Sequence, residues 1–262
     1  MKTIKKFKAV TFSIILMTTF YGKAQMEPIL DGVKNIVLVH GAFADGSSWS
    51  KVIPLLQKKG YNVIAVQNPL TSLEDDVAAT KRAIGLMDGP VLLIGHSWAG
   101  VVITEAGNDP KVSGLLYVCA FTPKDGQSLQ DIAMTFPPAR GNEEVLVHPS
   151  GFLSLSLKGI NEDFAQDVSP ADRKVIFATQ GEWAAQCTTA KISTAAWKTK
   201  PSWFIVGTDD HMISPELERA EAKMINATTL ELNTSHVPMV SQPKKVANFI
   251  MEAARNLPTQ VK

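Results

Sequence analysis

Hydrophobic positions along the chain fall into short continuous runs separated by longer amphipathic stretches. "NIVLVHG" (35–41), "YNVIAVQ" (61–67), "GPVLLIGH" (89–96), "SGLLYVCAF" (113–121), "SWFIVGT" (202–208) and "TTLELNTS" (228–235) read as strands. Several are almost unbroken in Val, Ile and Leu, as expected when both faces of a parallel sheet are covered. Helical patterns with start signals lie between them. In "SLEDDVAATKRAIGLM", Ser72 followed by Asp75 three residues on resembles a capping box; "SPELERAEAKMI" offers Ser214 with Pro215 behind it; "SQPKKVANFIMEAARN" starts in the same way at Ser241. Strands alternating with helices predict an α/β layer structure with a mostly parallel sheet of about six strands flanked by helices.

The alternation breaks between Phe121 and Trp203. Residues 122–200 are punctuated by Pro and Gly, partly helical in pattern, and contain Phe136, Phe152, Phe164 and Trp183. An insertion after the fourth strand, without a sheet of its own, is the expectation. It divides the chain into a core (25–121 and 201–262) and a cap (122–200).

The first 24 residues belong to a different pattern. "MKTIKKFK" is basic, "AVTFSIILMTTF" is apolar, and small residues at Gly22 and Ala24 follow. This is the layout of a secretory signal cleaved after Ala24, which implies a secreted or periplasmic protein. The apolar run is shorter than the roughly 20 residues of a membrane-spanning helix, so no stable membrane association is expected after cleavage. Lys2, Lys5, Lys6, Lys8 and Lys23 lie in this segment. Without them the chain carries 21 basic against 25 acidic residues, a net of −4. No basic patch with interleaved aromatics remains, which argues against nucleic acid. Cys119 and Cys187 are expected as free thiols, Cys119 within a buried strand. The five histidines are too scattered to suggest a metal.

Candidate chemistry centres on "LLIGHSWAGVV" (92–102), where a strand stops at Gly95 and a helix-compatible segment follows Ser97. A serine hydroxyl hardly ionises at neutral pH, so nucleophilic use requires an adjacent base and a group to orient that base. A sharp strand-to-helix turn exposes the hydroxyl and needs small flanking residues. Gly95 satisfies this on one side; on the other stand Ala99 and Gly100, a departure from the usual second glycine. The order serine, acid, histidine places the base at His236, after the last strand, and the acid in "FIVGTDDHMI". Asp210 is preferred there over Asp209 and over Asp125. The developing oxyanion of acyl transfer needs preorganised donors. The backbone N–H groups of Trp98 and of Ala42, in the loop "HGAFADGSSW", are the candidates. Gly41, Phe43, Phe136 and Trp183 are candidate pocket residues. Trp49 fits core packing; His40 and His96, at strand ends beside glycines, fit buried, hydrogen-bonded structural roles; His148 and His211 fit loops.

Together, "VLVHGAFADGSSWSKVIPLLQKKGYNVIAV", "GHSWAGVVI", "GTDDHMISPELER" and "SHVPMVSQP" resemble the α/β-hydrolase superfamily, and within it the small serine esterase branch that includes plant methylesterases and hydroxynitrile lyases. The resemblance implies Ser97 as nucleophile, His236 as base, Asp210 as acid and residues 122–200 as a cap over the pocket, with no cofactor. Lyases of that branch carry a Thr where this chain has Gly41, and a Lys where it has Val237. The resemblance therefore favours hydrolysis of a small carboxylic ester or lactone. A cofactor-free lyase or haloperoxidase-like enzyme, or a small-ligand receptor with little turnover, are the alternatives. A serine nucleophile disfavours the dehalogenase and epoxide hydrolase chemistries, which use an aspartate.

Overall fold

The computed structural model describes residues 32–258. The leader expected at 1–24 lies outside the described residues. The core is a six-stranded sheet built from β1 (Asn35–Val39), β2 (Asn62–Ala65), β3 (Val91–His96), β4 (Val112–Val118), β8 (Ser202–Gly207) and β9 (Thr228–Leu232). Its order is β2-β1-β3-β4-β8-β9, and every pairing is parallel. The four inner strands are buried along nearly their whole length, whereas β2 and β9, at the edges, are half exposed. That is the reason their sequences carry polar residues among the apolar ones.

Helices α1 (Ile53–Gln57), α2 (Leu73–Gly85), α3 (Ala99–Ala106), α7 (Pro215–Met224), α8 (Pro238–Ser241) and α9 (Pro243–Arg255) belong to the core. In α9, Val246, Ala247, Phe249, Ile250, Ala253 and Ala254 form the buried stripe expected of a helix covering a sheet. Ser72 and Ser214 cap α2 and α7 as their spacing predicts, accepting from the N–H groups of Asp75 and Leu217. The Asp75 carboxylate does not return the bond to the cap backbone. It accepts from the hydroxyls of Thr71 and Ser72 instead. The last helix starts differently from expectation: Gln242 is its N-cap, and Ser241 closes the preceding turn α8. The residue directly before the first-turn proline takes the cap position. At 214–215 that residue is a serine, and at 242–243 it is a glutamine.

Between β4 and β8 the chain forms α4 (Leu129–Ala133), β5 (Val145–Val147), β6 (Phe152–Leu155), α5 (Leu157–Gly159), α6 (Pro170–Thr179) and β7 (Trp183–Ala184). The three strands make an antiparallel sheet in the order β5-β6-β7, which corrects the expectation of a segment without a sheet. Strands of two to four residues are too short to display a period-2 pattern. Backbone hydrogen bonds tie the segment to the core. Ala184 N–H donates to Leu70 O (2.8 Å) and Gly141 N–H to His211 O (2.8 Å). No helix among the described residues is long and apolar enough to cross a membrane.

Candidate active site

Three loops meet at the C-terminal ends of the parallel strands, where open α/β sheets form their sites. Ser97 follows β3 at φ +55°, in the left-handed region that a residue with a β-carbon enters only under constraint. Its N–H donates to Val118 O (3.1 Å), and the Gly100 N–H donates back to Ser97 O (2.9 Å). The turn is tight on both sides. A β-carbon on Gly95 would stand 2.5 Å from Ala99 O, and one on Gly100 would stand 2.2 Å from Phe121 O. The second position that excludes a side chain is therefore three residues after the serine rather than two. Ala99 fits at the other because its methyl group is accommodated in the core.

His236 follows β9 and is buried. Its Nδ1 lies 2.6 Å from Asp210 Oδ2. A carboxylate only accepts, so the hydrogen is on Nδ1 and Nε2 presents a lone pair. The imidazole is clamped between rings, with centroids 4.7 Å from His96 and 5.2 Å from Phe164. Asp210 leaves the loop after β8. Its Oδ1 accepts from the N–H groups of Met212 (2.7 Å) and Ile213 (3.0 Å). Burial alone would raise this carboxyl. The facing His236 and the hydrogen bonds it receives reverse that and hold it below the usual aspartate range. Asp209 is exposed, and Asp125 pairs with Lys198 on the surface (2.6 Å), so neither reaches His236.

Ser97, His236, Ala42 and Trp98 all face one cavity of about 90 Å3. Among the described residues no hydrogen bond joins the Ser97 hydroxyl to His236, and the N–H groups of Ala42 and Trp98 donate to no protein group. Catalytic hydrogen bonds are often long before substrate arrives. Phe43 and Trp183 line the cavity, their rings edge to face at 5.9 Å. Gly41 and Phe136, expected there, do not. Gly41 lies beneath the serine, where a β-carbon would stand 2.7 Å from Ser97 Cβ, and Phe136 packs partly buried against the core. An adjoining cavity of about 280 Å3 shares Phe121, Trp183, Val145 and Ile213 with the first and extends under α4. Larger hollows on the surface contain neither Ser97 nor His236.

Supporting residues were not all foreseen. His96, expected to be a buried, hydrogen-bonded residue, donates Nε2–H to His236 O (2.8 Å), and burial pushes its pKa well below the usual value, so it stays neutral. His40 is likewise buried, accepting at Nε2 from Asn68 N–H (2.9 Å). Asp76 is a further such residue. It lies on the buried stripe of α2 and accepts from Leu70 N–H and from the Trp98 indole N–H, both at 2.8 Å. It thereby fixes the residue after Ser97. Asp76→Ala would orphan two buried donors and should cost about 3 kcal/mol of stability in chemical denaturation. Burial also lifts the Asp76 carboxyl to about 6. A folded-state value above the unfolded one means that the native state binds this proton more tightly. The contribution of Asp76 to stability is therefore greatest at acid pH and falls as pH rises through 6. Asp76→Asn should remove that slope.

Both cysteines are buried and unpaired. One set of three potential metal ligands occurs among the described residues: Cys119, Asp210 and Glu218, whose ligand atoms lie within 4.8 Å of one another. Both Asp210 oxygens are already committed to donors, which does not suit an open ligand sphere.

A fold of this topology with a strained serine after its third strand defines a hydrolase-type α/β protein. The model of the Alpha/beta hydrolase family matches residues 36–249, and the chain belongs to that family. It is 25% identical to a pyrethroid hydrolase of Sphingobium wenxiniae, over 85% of this chain and 88% of that one. It is 25% identical to methylesterase 8 of Arabidopsis thaliana, over 92% and 96%. The crystal structure of polyneuridine aldehyde esterase superposes with a TM-score of 0.72 at 20% identity, covering 84% of this chain and 99% of that one.

Proposed function

We propose that the protein is a carboxylic ester hydrolase that forms an acyl-enzyme on Ser97. The observation that carries this reading is the shared cavity: a hydroxyl at a strained turn, an imidazole with a free Nε2, and two unengaged backbone donors open onto one space. His236 Nε2 takes the serine proton as Oγ attacks the ester carbonyl. The N–H groups of Ala42 and Trp98 hold the resulting oxyanion. Collapse expels the alcohol, protonated by His236, and water then attacks the acyl-enzyme with the same imidazole as base. Asp210 keeps the Nδ1–H tautomer and stabilises the imidazolium. No cofactor is required for this sequence of steps.

The cavities also bear on the substrate. Their walls are Phe43, Phe121, Phe164, Trp183, Val145 and Met212 among others, and among the described residues His236 is the only titratable group lining them. A neutral ester or lactone with one apolar substituent fits such walls, and a charged substrate would lose hydration without a partner. The relatives at 25% identity, named as a pyrethroid hydrolase and a methylesterase, support ester hydrolysis. Val237 is buried and lines neither cavity, so the position after the base supplies nothing to hold a cyanide leaving group.

A panel of p-nitrophenyl esters tests the reading. Turnover of short neutral acyl esters is expected, with kcat/KM falling about a hundredfold or more when the acyl chain ends in a carboxylate. No turnover of any p-nitrophenyl ester in the panel would contradict it.

A further inference from the structure

Behind the Asp210–His236 pair lies a second buried carboxyl that the reaction steps above do not use. Glu218, in the first turns of α7, has no exposed surface. Its Oε2 accepts from Gly207 N–H (3.0 Å), while among the described residues no donor reaches Oε1. Ligand atoms of Glu218, Asp210 and Cys119 lie within 4.8 Å of one another.

Two ionised carboxylates this close in a dry site repel strongly unless a cationic group lies between them, and among the described residues no Lys or Arg side chain pairs with either. The groups facing Glu218 are Asp210 from the loop after β8, Cys119 from the end of β4 and, beyond Asp210, His236. On its own helix Arg219 turns outward to Glu231 (2.8 Å), and Glu221 accepts from Thr122 N–H and hydroxyl (2.7 and 2.6 Å). A proton held on the pair would relieve that repulsion. Asp210 already receives two backbone N–H bonds and the imidazole N–H, all of which favour its anion, whereas Glu218 receives one.

We propose that Glu218 is held as a neutral carboxylic acid whose proton is donated to the Asp210 carboxylate, making it a positioning residue for the Asp210–His236 pair. Burial first, and then the neighbouring Asp210 charge, push the Glu218 carboxyl well above the usual glutamate range. A proton donated from Glu218 would in turn favour the Asp210 anion. Burial also pushes the Cys119 thiol well up, so it adds no charge to the cluster. The neutral state has a functional consequence. An anion at 218 would over-stabilise the His236 imidazolium and raise the pH below which the base is lost. A neutral donor orients Asp210 without doing so.

The inference rests on Asp210 being the partner of the catalytic base, and its test separates the two claims. Glu218→Gln keeps the shape, the donor toward Asp210 and the acceptor for Gly207 N–H. Its kcat should stay within about threefold of wild type, and the acid limb of its kcat/KM–pH profile should not move. A fall of that limb by about one pH unit or more would mean that an anion had been removed, and would overturn the proposal. Glu218→Leu should lower kcat about tenfold at unchanged KM, the scale of one lost hydrogen bond to a charged group. Equal loss in Gln and Leu variants would also contradict it. Wild-type protein labelled with 13C at glutamate carboxyls gives a reading that needs no variant. One resonance should keep the position of a protonated acid from pH 5 to 9; all glutamates ionised at pH 8 would sink the idea. Retained activity in Ser97→Ala would defeat the reading of the site and leave this carboxyl resonance unaffected.

Discussion

Replacing Ser97 by alanine should abolish ester turnover while leaving the fold intact. The expected loss in kcat is about 10⁴- to 10⁶-fold, the range over which removing the nucleophile of such a constellation acts. Alanine has no oxygen to attack the carbonyl, so only water attack assisted by the two backbone donors remains. The substitution takes away one hydroxyl that carries no hydrogen bond to His236 and leaves the backbone at φ +55° under the same constraint. Stability in denaturant should therefore change little. Full activity in Ser97→Ala would require another nucleophile, and no second hydroxyl or thiol lines this cavity among the described residues.

Asp210→Asn should reduce kcat by about 10⁴-fold with a much smaller effect on KM. The amide retains an oxygen for the N–H groups of Met212 and Ile213, so the loop keeps its shape. Facing His236, however, an amide N–H replaces a carboxylate oxygen. The imidazole then takes its hydrogen on Nε2 and turns a donor, not a lone pair, toward the serine. The downfield proton signal of a buried Nδ1–H, visible in wild type, should vanish in the variant. A loss below tenfold would indicate that Asp210 does not govern the base.

Much of this architecture is legible along the chain because burial on both faces of the inner strands leaves an unmistakable apolar run. All six core strands fall on the stretches "NIVLVHG" to "TTLELNTS", five of them inside their stretch and shortened by one to three residues, and β4 starting one residue early at Val112. The cap was less legible. Its strands are two to four residues long, and its aromatic residues serve the local core and the cavity alike; Trp183 lines the cavity where Phe136 does not. Ser97, Asp210 and His236 stand out because each follows a strand in the order the fold uses. Their supports do not, since a buried carboxylate in a helix resembles any solvated charge. The signal was present in the spacing. Asp76 shares a stripe with Leu73, Val77 and Thr80, and Glu218 shares one with Leu217, Ala222 and Ile225, all buried. A charge on the apolar face of a helix marks a partner on the facing element. Here those partners are Trp98 and Asp210.

The central claim is that the Ser97 hydroxyl is made nucleophilic by His236, and active-site labelling reads it directly. Incubation with a fluorophosphonate, followed by peptide mapping by mass spectrometry, should find one adduct per chain, on the Ser97 peptide, and none in His236→Ala. Wild-type protein that hydrolyses esters yet remains unlabelled at Ser97, or that labels equally well without the histidine, would contradict the account.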